Sequence, residues 1–261
     1  MEFITSRNNK WIKLALRLKQ KKWRDKENSF LLEGIRIIED ACNQGIKNCV
    51  CFIHNNQNGN ERVQKLIEKA DKLHWLFLNI DESFMDLISG TENGQGIILI
   101  CHKKQYRKED LLKPLTGHYV VLDTIQDPGN MGTIIRTSAA AGVQGILLTE
   151  GCTDIYSEKV VRSSMGSILR IPIYENIDIS FLKELKDKGQ IPLLGTSLAN
   201  AISYREIGDL QNGIFIFGNE GNGIRPEILD ITDQNLYIPI YKGVESLNVS
   251  IAAAVILFHF I

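Results

Sequence analysis

Short apolar segments, each followed by a polar loop, recur through the second half of the chain and constrain its fold more than any other feature. We predict strands at Tyr119–Asp123, Gly145–Thr149, Ile191–Ser197, Ile214–Phe217 and Leu236–Ile240. We predict helices at Met131–Ala141, Glu158–Ser163, Phe181–Lys188 and Leu247–Phe260. Apolar strands that alternate with helices are typical of a mainly parallel sheet covered on both faces. Ligands of such sheets bind at the carboxyl ends of the strands.

The N-terminal part of the chain predicts a second, smaller α/β domain. Strands are predicted at 30–34, 49–54, 76–79 and 95–101, with helices at 35–43 and 61–73. A dense run of charge follows, and we interpret it as a connection between domains. We therefore expect a domain at residues 1–102, a linker at 103–117 and the larger α/β domain at 118–261.

Charge is distributed unevenly, although the formal net charge is only −1. A nucleic-acid partner would thus have to be bound by a local basic surface. The strongest local excess lies at residues 7–26, where nine basic residues accompany one acidic residue, Asp25. Trp11, Leu14 and Leu18 recur there at helical spacing, which predicts an amphipathic helix with one basic face. That face is either a solvated surface or an RNA contact, for which we select Arg7, Lys10 and Arg17.

Several classes of protein are disfavoured by what the sequence lacks. No apolar run approaches the roughly 20 residues needed to cross a bilayer, and the first residues lack the pattern of a signal peptide. We expect a cytoplasmic protein with no membrane partner. The five cysteines form no CxxC pair and the five histidines no HExxH spacing, so we predict reduced thiols and no metal site.

The first of three polar loops follows the strand predicted to end at Asp123. Pro128 and Gly129 favour a turn, and Asn130 is suited to cap the helix that follows. Arg136 lies about one and a half turns later, where a guanidinium suits an RNA phosphate. Taken alone, the loop also fits a capped turn with a surface arginine.

The second loop, residues 217–224, is dense in glycine. Glycines let a ligand lie against bare backbone amides and carbonyls. The loop is no phosphate-binding P-loop, because it lacks Gly-Lys-Ser/Thr and carries Glu220, which would repel a triphosphate. An acidic side chain suits a cationic sulfonium or a ribose hydroxyl better.

The third loop joins a strand that ends near Pro239 to an alanine-rich helix opened by Ser246-Leu247-Asn248. Ser246 is suited to be the N-cap of that helix. Free amides at the helix start could also bind a ligand carboxylate, such as the methionine end of a cofactor.

Together the three loops resemble, in order and spacing, the signature motifs of the SpoU/TrmH-type RNA ribose 2′-O-methyltransferases. The fold that this resemblance implies is an α/β trefoil knot with a mainly parallel sheet. The matching segments are Asp127-Pro128-Gly129-Asn130-Met131-Gly132 with Arg136, Gly218-Asn219-Glu220-Gly221-Asn222-Gly223, and Ser246-Leu247-Asn248-Val249-Ser250. The N-terminal domain, with Leu32-Glu33-Gly34, is similar to the ribosomal-protein-like substrate-binding domain of many members. Lys159–Gly166 resembles a further stretch of the family, in which Arg162 is expected to contact RNA.

The resemblance implies roles for individual residues, with S-adenosylmethionine as the cofactor. Arg136 is implied as the catalytic residue and Ser246 as its activating or orienting neighbour, with Asn130, Glu220 and Asn248 as polar supports of the site. Cofactor binding is implied for Thr196, Ser197, Leu198, Gly218, Asn219, Glu220, Gly221, Ile238, Pro239, Ser246, Leu247 and Asn248. The family also implies a homodimer, and the basic N-terminal stretch favours rRNA over tRNA as the substrate.

The reaction that follows is an in-line displacement, in which the ribose 2′-oxygen attacks the sulfonium methyl group. Arg136 either accepts the proton or orients the nucleotide, and the high pKa of a guanidinium favours orientation. The alternative is a non-catalytic RNA-binding or ribosome-associated protein that retains the fold, although such a protein would not require all five polar residues. A nucleotide-dependent oxidoreductase is disfavoured because no GxGxxG opens a helix.

Overall fold

The computed structural model describes residues 2–57, 59–90, 94–244 and 246–260. By their internal contacts these residues form two units. The N-terminal unit extends to Lys104 and also includes Asp154–Leu169, while the C-terminal unit consists of Gln105–Thr153 and the chain from Arg170 onwards. A segment that lies late in the sequence therefore packs with the N-terminal unit.

The strands are numbered along the chain, with β1 to β5 in the N-terminal unit and β6 to β12 in the C-terminal unit. Those of the first sheet are β1 Glu2–Phe3, β2 Ser29–Glu33, β3 Val50–His54, β4 Leu76–Ile80 and β5 Ile97–His102. Those of the second sheet are β6 His118–Leu122, β7 Gly145–Thr149, β8 Ile173–Ile177, β9 Leu193–Thr196, β10 Ala201–Ser203, β11 Gly213–Phe217 and β12 Gln234–Tyr237.

The α-helices, numbered in the same way, begin with two short helices in the basic N-terminal stretch. They are α1 Lys10–Leu18, α2 Lys21–Lys26, α3 Ile35–Asn43, α4 Glu61–Asp71, α5 Glu82–Ile88, α6 Pro128–Ala140, α7 Glu158–Ser163, α8 Ile179–Gly189, α9 Pro226–Leu229 and α10 Val249–Leu257.

The sheet of the N-terminal unit is mixed, with the order β1-β4-β3-β5-β2. The strands β1, β4 and β3 are parallel, and β5 runs antiparallel to both β3 and β2. Ile12, Ala15 and Leu18 of α1 are buried in a hydrophobic core with strand residues such as Phe52 and Leu78. The apolar face of α1 is thus used for packing, which leaves its basic face outward.

The amphipathic helix predicted from Trp11, Leu14 and Leu18 is present as α1, but it does not extend through the basic stretch, because a break separates it from α2. Gln20 is extended at the break, with φ −102° and ψ 134°. The Arg24 side chain turns inward and its Nη1 donates to the carbonyl oxygen of Leu18, at 2.7 Å. The guanidinium thereby satisfies a carbonyl at the end of α1, which a continuous helix would bond internally.

The sheet of the C-terminal unit is wholly parallel in its pairings, with the order β10-β12-β9-β11-β6-β7-β8. Both β11 and β12 are inserted between strands that precede them in the chain. Val121, Leu193 and Ile216 at the centre of the sheet are fully buried, and α8 covers one face with Leu182 and Leu185. The expected parallel sheet with covered faces is therefore present.

The strand predictions for this unit need one correction and missed two strands. The strand expected at 236–240 is β12 at Gln234–Tyr237, because β12 pairs with β9 and β10 only as far as Tyr237. Pro239 lacks the amide that a longer ladder would need. The sequence also gave no sign of β8 and β10, which lie at the sheet edges, where fewer residues are buried and the apolar run is lost.

No helix in the described ranges is both long and apolar enough to cross a membrane.

Candidate active site

A cleft of about 680 Å³ lies at the carboxyl ends of β9, β11 and β12 in the C-terminal unit. Its wall is apolar where Phe217, Leu236 and Ile256 line it, and polar where the loops after the strands line it. A concave, largely apolar site with a few convergent polar groups is typical of small-molecule binding. Its position at the ends of parallel strands agrees with the expectation for this sheet.

Most of the residues predicted to bind the cofactor line this one cleft, although they come from three distant parts of the chain. Those that line it are Thr196, Ser197, Leu198, Gly218, Asn219, Glu220, Ile238, Ser246, Leu247 and Asn248. Gly221 and Pro239 are not among the lining residues. Ile224, Val249 and Ala252 line it as well and were not predicted, since apolar side chains that are partly or fully buried carry no mark of a ligand.

Asn130 joins the three loops. Its side-chain nitrogen donates to Glu220 Oε1 at 2.7 Å, and its side-chain oxygen accepts from Asn248 Nδ2 at 2.9 Å. The prediction that Asn130 caps α6 is wrong, because Asp127 is the N-cap and accepts from the backbone amide of Asn130 at 2.7 Å. With the cap supplied by Asp127, the Asn130 side chain is available to connect the second and third loops.

The glycine-rich loop is closed on itself by Asn219 and Gly223. The backbone amides and carbonyls of these two residues exchange hydrogen bonds of 2.9 and 2.8 Å. The Asn219 side chain accepts from the amide of Gly221 at 2.9 Å and donates to the carbonyl of Thr124 at 2.9 Å. A side chain on Gly218 would place its Cβ 2.2 Å from backbone atoms of Gly223. The tight turn therefore requires glycine at position 218.

Asp123, which no motif in the sequence marks as a site residue, anchors the far end of the same loop. It is fully buried at the end of β6, and its carboxylate accepts from the amide of Arg225 at 2.9 Å and from Arg225 Nε at 2.9 Å. Thr149 Oγ1 donates to it at 2.9 Å. The carboxylate thus fixes the start of α9, just after Gly223. An acidic residue that ends an otherwise apolar strand is the one local sign of this role.

Thr124, which follows Asp123, has a left-handed backbone with φ +56°. Such a conformation is unfavourable for a β-branched residue. It persists because Thr149 Oγ1 accepts from the Thr124 amide at 3.1 Å while Asn219 binds its carbonyl. Backbone strain of this kind concentrates at functional sites.

The third loop reaches α10 at Val249 and not at Leu247 as predicted. Asn248 is the N-cap, with its side-chain oxygen accepting from the Ser250 amide at 2.9 Å and from Ser250 Oγ at 2.6 Å. The suggestion that Ser246 caps the helix is therefore wrong, and Ser246 is exposed at the cleft. Leu247 and Ser246 lie before the helix because Asn248 is the stronger local cap.

Arg136 is not among the residues that line the cleft. It lies on α6 with an exposed side chain, and no described residue hydrogen-bonds to it or forms an ion pair with it. The other predicted RNA contacts, Arg7, Lys10, Arg17 and Arg162, are exposed in the N-terminal unit. Arg162 Nη1 is 3.4 Å from the carbonyl oxygen of Gly90, to which it donates.

The remaining nucleophiles and metal-binding side chains are dispersed. Across the described ranges, no three His, Cys, Asp or Glu side chains gather in a way that could hold a metal ion. The five cysteines are free, and Cys152 is the one that is not fully buried. Burial raises the pKa of the Cys152 thiol, whose Sγ donates to the carbonyl of Leu122 at 3.3 Å.

Comparison with known families gives two matches along the chain. Residues 117–258 match the SpoU rRNA Methylase family. Residues 9–99 match the MRM3-like substrate binding domain. The first match spans all three loops of the cleft.

Similar proteins extend over nearly the whole chain. A 23S rRNA (guanosine(2553)-2′-O)-methyltransferase, RlmP, from Bacillus subtilis is 35% identical over 260 residues, covering 99% of both chains. The human mitochondrial rRNA methyltransferase 3 is 27% identical and covers 93% of this chain and 69% of its own. An AdoMet-bound rRNA methyltransferase from Sinorhizobium meliloti superposes with a TM-score of 0.87 at 32% identity, covering 98% of this chain and 96% of the other.

A parallel α/β sheet whose cleft is lined by the second and third SpoU motif loops, with the first loop joined to them through Asn130, defines an RNA methyltransferase. The chain belongs to the SpoU rRNA methylase family. This confirms the predicted resemblance, the α/β fold class with its smaller N-terminal domain, the RNA ribose 2′-O-methyltransferase activity and S-adenosylmethionine as the cofactor.

Proposed function

We propose that this chain methylates the ribose 2′-hydroxyl of a nucleotide in 23S rRNA, with S-adenosylmethionine bound in the cleft of the C-terminal unit. The observation that carries the proposal is the hydrogen-bonded series Asn248–Asn130–Glu220, which joins the three motif loops at one cleft. The Bacillus subtilis relative, alike over 99% of both chains, is named for 2′-O-methylation of 23S rRNA and supports the choice of substrate.

The cleft suits S-adenosylmethionine in size and chemistry. Pockets for ligands of this size are typically about 300–1,000 Å³ and largely apolar. The backbone at Thr196–Leu198 and at Gly218 would bind the adenosine, with Ile238 and Leu247 packing against it. When bound, the cofactor supplies an electrophilic methyl group on a sulfonium. Glu220 places a carboxylate in the lining, where it favours a cationic ligand.

Asn130, Glu220 and Asn248 would hold the loops in place while the target ribose enters. Ser246 is exposed at the cleft and would orient the ribose hydroxyl or its proton acceptor. Arg136 would bind the phosphate of the target nucleotide, which aligns the 2′-oxygen. Alignment of two reactants accounts for a large part of the rate enhancement in reactions of this kind.

We further propose that the enzyme is a homodimer in which Arg136 completes the cleft of the partner. Arg136 does not line the cleft of its own chain. The helix α10 packs on α6, and Ile251 of α10 and Phe258, which directly follows the helix, each remain 51% exposed. A second copy of the chain that covers these apolar side chains would bring Arg136 of each subunit next to the other subunit's site.

The N-terminal domain, residues 1–102, would bind the RNA, followed by the connection at 103–117 and the methyltransferase domain at 118–261. The match of residues 9–99 to a substrate binding domain supports this division. An rRNA substrate also favours a cytoplasmic location for the enzyme, because ribosomes assemble in the cytoplasm.

The decisive experiment maps 2′-O-methyl groups in cellular rRNA with and without the gene, and repeats the reaction with purified protein. We expect one 23S rRNA site to lose its methyl group and to regain it in vitro with S-adenosylmethionine. Arg136→Ala should bind S-adenosylmethionine with unchanged affinity in calorimetry while methyl transfer falls by at least about a hundredfold. An unchanged map, with RNA binding intact, would support the non-catalytic alternative.

A further inference from the structure

The basic residues of α1, α2 and the turn between them fall into two groups according to their partners. Lys19 and Arg24 donate to backbone oxygens of the fold, and Lys21 pairs with Asp25 at 2.8 Å. The others are exposed and have no acidic partner within the described part of the chain. These unpaired cations are Lys10, Lys13, Arg17, Lys22 and Lys26.

The unpaired cations of α1 form one stripe. Lys10, Lys13 and Arg17 are spaced by three and four residues, which places them on the same side of the helix. That side is opposite Ile12 and Ala15, which are fully buried against the sheet. The stripe is therefore oriented outward by the packing of α1.

Trp23 of α2 connects this stripe to the cations of α2. The guanidinium carbon of Arg17 lies 4.6 Å from the centre of the Trp23 ring, and the ammonium of Lys26 lies 4.8 Å from it. Cations at this distance are attracted by the face of an indole ring. Two long side chains from different helices are thus held beside one half-buried ring.

Holding the two cations lowers the cost of binding an anion. Lysine and arginine side chains lose considerable rotamer freedom when they are fixed by a ligand. A ring that already restricts them reduces this loss, and two cations close together suit the repeated phosphates of a nucleic-acid backbone. Because the ring already faces two cations, we assign it to holding them and not to stacking on a base.

We propose that Trp23 is a positioning residue for RNA binding, which holds Arg17 and Lys26 as a pair that binds rRNA phosphates at the centre of the unpaired cations of α1 and α2. The inference rests on the proposed rRNA methylation and adds to it the surface that binds the substrate. Two observations identify an RNA backbone as the ligand of this surface: the local excess of positive charge and the absence of acidic partners for these five side chains.

A double-mutant cycle tests the role of Trp23, with an unmodified 23S rRNA transcript as the probe and fluorescence anisotropy as the readout. Arg17→Gln/Lys26→Gln should bind about tenfold more weakly and lower the slope of log affinity against log salt by about two, one for each lost phosphate contact. Trp23→Leu should bind about fivefold more weakly in the wild-type background. In the Arg17→Gln/Lys26→Gln background the same change should have less than about a twofold effect, since there are no cations left to hold.

Conservative and neighbouring variants provide controls. Trp23→Phe keeps a ring face and should retain near wild-type affinity, and all variants should bind S-adenosylmethionine as wild type does. Lys21→Gln, which removes a paired cation, should weaken RNA binding less than Lys22→Gln, which removes an unpaired one. In turnover, Trp23→Leu should raise KM for the RNA and leave kcat unchanged.

Two results would overturn the proposal. If Trp23→Leu weakens binding equally in both backgrounds, the ring contacts RNA directly. If Arg17→Gln/Lys26→Gln binds as wild type does, this surface does not bind the RNA, and that variant leaves the Trp23 packing in place. In either case rRNA methylation by the wild-type enzyme would still stand, whereas failure of the proposed function would appear as the absence of methyl transfer by the wild type.

Discussion

Gly218 illustrates how one missing side chain sets the shape of the cleft. A Cβ at this position would lie 2.2 Å from the carbonyl carbon of Gly223 and 2.2 Å from the nitrogen of Ile224. Both are backbone atoms of a turn closed by two hydrogen bonds, so neither can move without opening the turn. The conformation of the loop is therefore tied to the identity of this residue.

We expect Gly218→Ala to weaken S-adenosylmethionine binding by at least about tenfold and to destabilise the protein by about 1–3 kcal/mol, because the added methyl overpacks the turn. Calorimetry and urea unfolding measure the two effects. Gly221→Ala is the comparison, since its methyl would meet only Asn219 Oδ1 at an ordinary 3.5 Å. Equal affinities of the two variants would contradict the steric argument.

Among the elements, the end of β6 and the start of α9 are held together by one buried carboxylate. Asp123 is fully buried, whereas its partner Arg225 keeps 38% of its side chain exposed. The carboxylate also binds the amide of Arg225 and Thr149 Oγ1, so three parts of the chain depend on it. The glycine-rich loop lies between the two elements and takes its position from both.

Asp123→Asn should lower the free energy of unfolding by about 2 kcal/mol, since an amide of the same size leaves the guanidinium unpaired. The loss is smaller than for a fully buried pair because Arg225 stays partly in water. Urea unfolding measures it, with Glu184→Gln as the control. Glu184 pairs with Lys188 on the surface at 2.6 Å, and its removal should cost less than about 0.5 kcal/mol. Similar losses in both variants would show that the buried pair has no special role.

At the scale of the whole molecule, the three motif loops converge but the arginine of the first motif does not join them. Arg136 and Asn130 belong to the same helix, yet only Asn130 connects to the other loops. The exposed Ile251 on the neighbouring α10 and Phe258 at the end of that helix give a second subunit an apolar surface to cover. The proposed dimer accounts for both observations.

Mixing two variants, one without the arginine and one with weakened S-adenosylmethionine binding, tests at limiting cofactor whether Arg136 acts across the proposed dimer. Arg136→Ala retains the cleft, and Gly218→Ala retains the arginine, so a mixed dimer would contain one complete site. Co-expression of the two with different tags should restore methyl transfer to about a quarter of the wild-type sites, the share expected from random pairing. If the isolated mixed dimer stays inactive although both variants fold, Arg136 does not act in the partner's site.

The sequence by itself determined the fold class and the three polar loops, two of which line the cleft. Apolar strands that alternate with helices indicate a sheet that is buried on both faces. Because a strand buried in this way is apolar along its own length, a single segment of the sequence reveals it. Most of the predicted cofactor residues line one cleft because the carboxyl ends of parallel strands share one edge of a sheet. The central strands and the longer helices predicted from such local patterns therefore agree with the structure, whereas the edge strands β8 and β10, several element ends and the two predicted helix caps do not.

Only the tertiary structure decided which side chains meet. Asp123 and Arg225 are 102 residues apart, and Asn130 and Asn248 are 118 apart, so no local pattern could reveal either pair. The capping role expected of Asn130 went to Asp127, three residues earlier, because several polar residues at a helix start are suited to be the cap. Likewise, the exposure of Arg136 outside the cleft follows from how α6 packs, which depends on the rest of the unit and not on its own sequence.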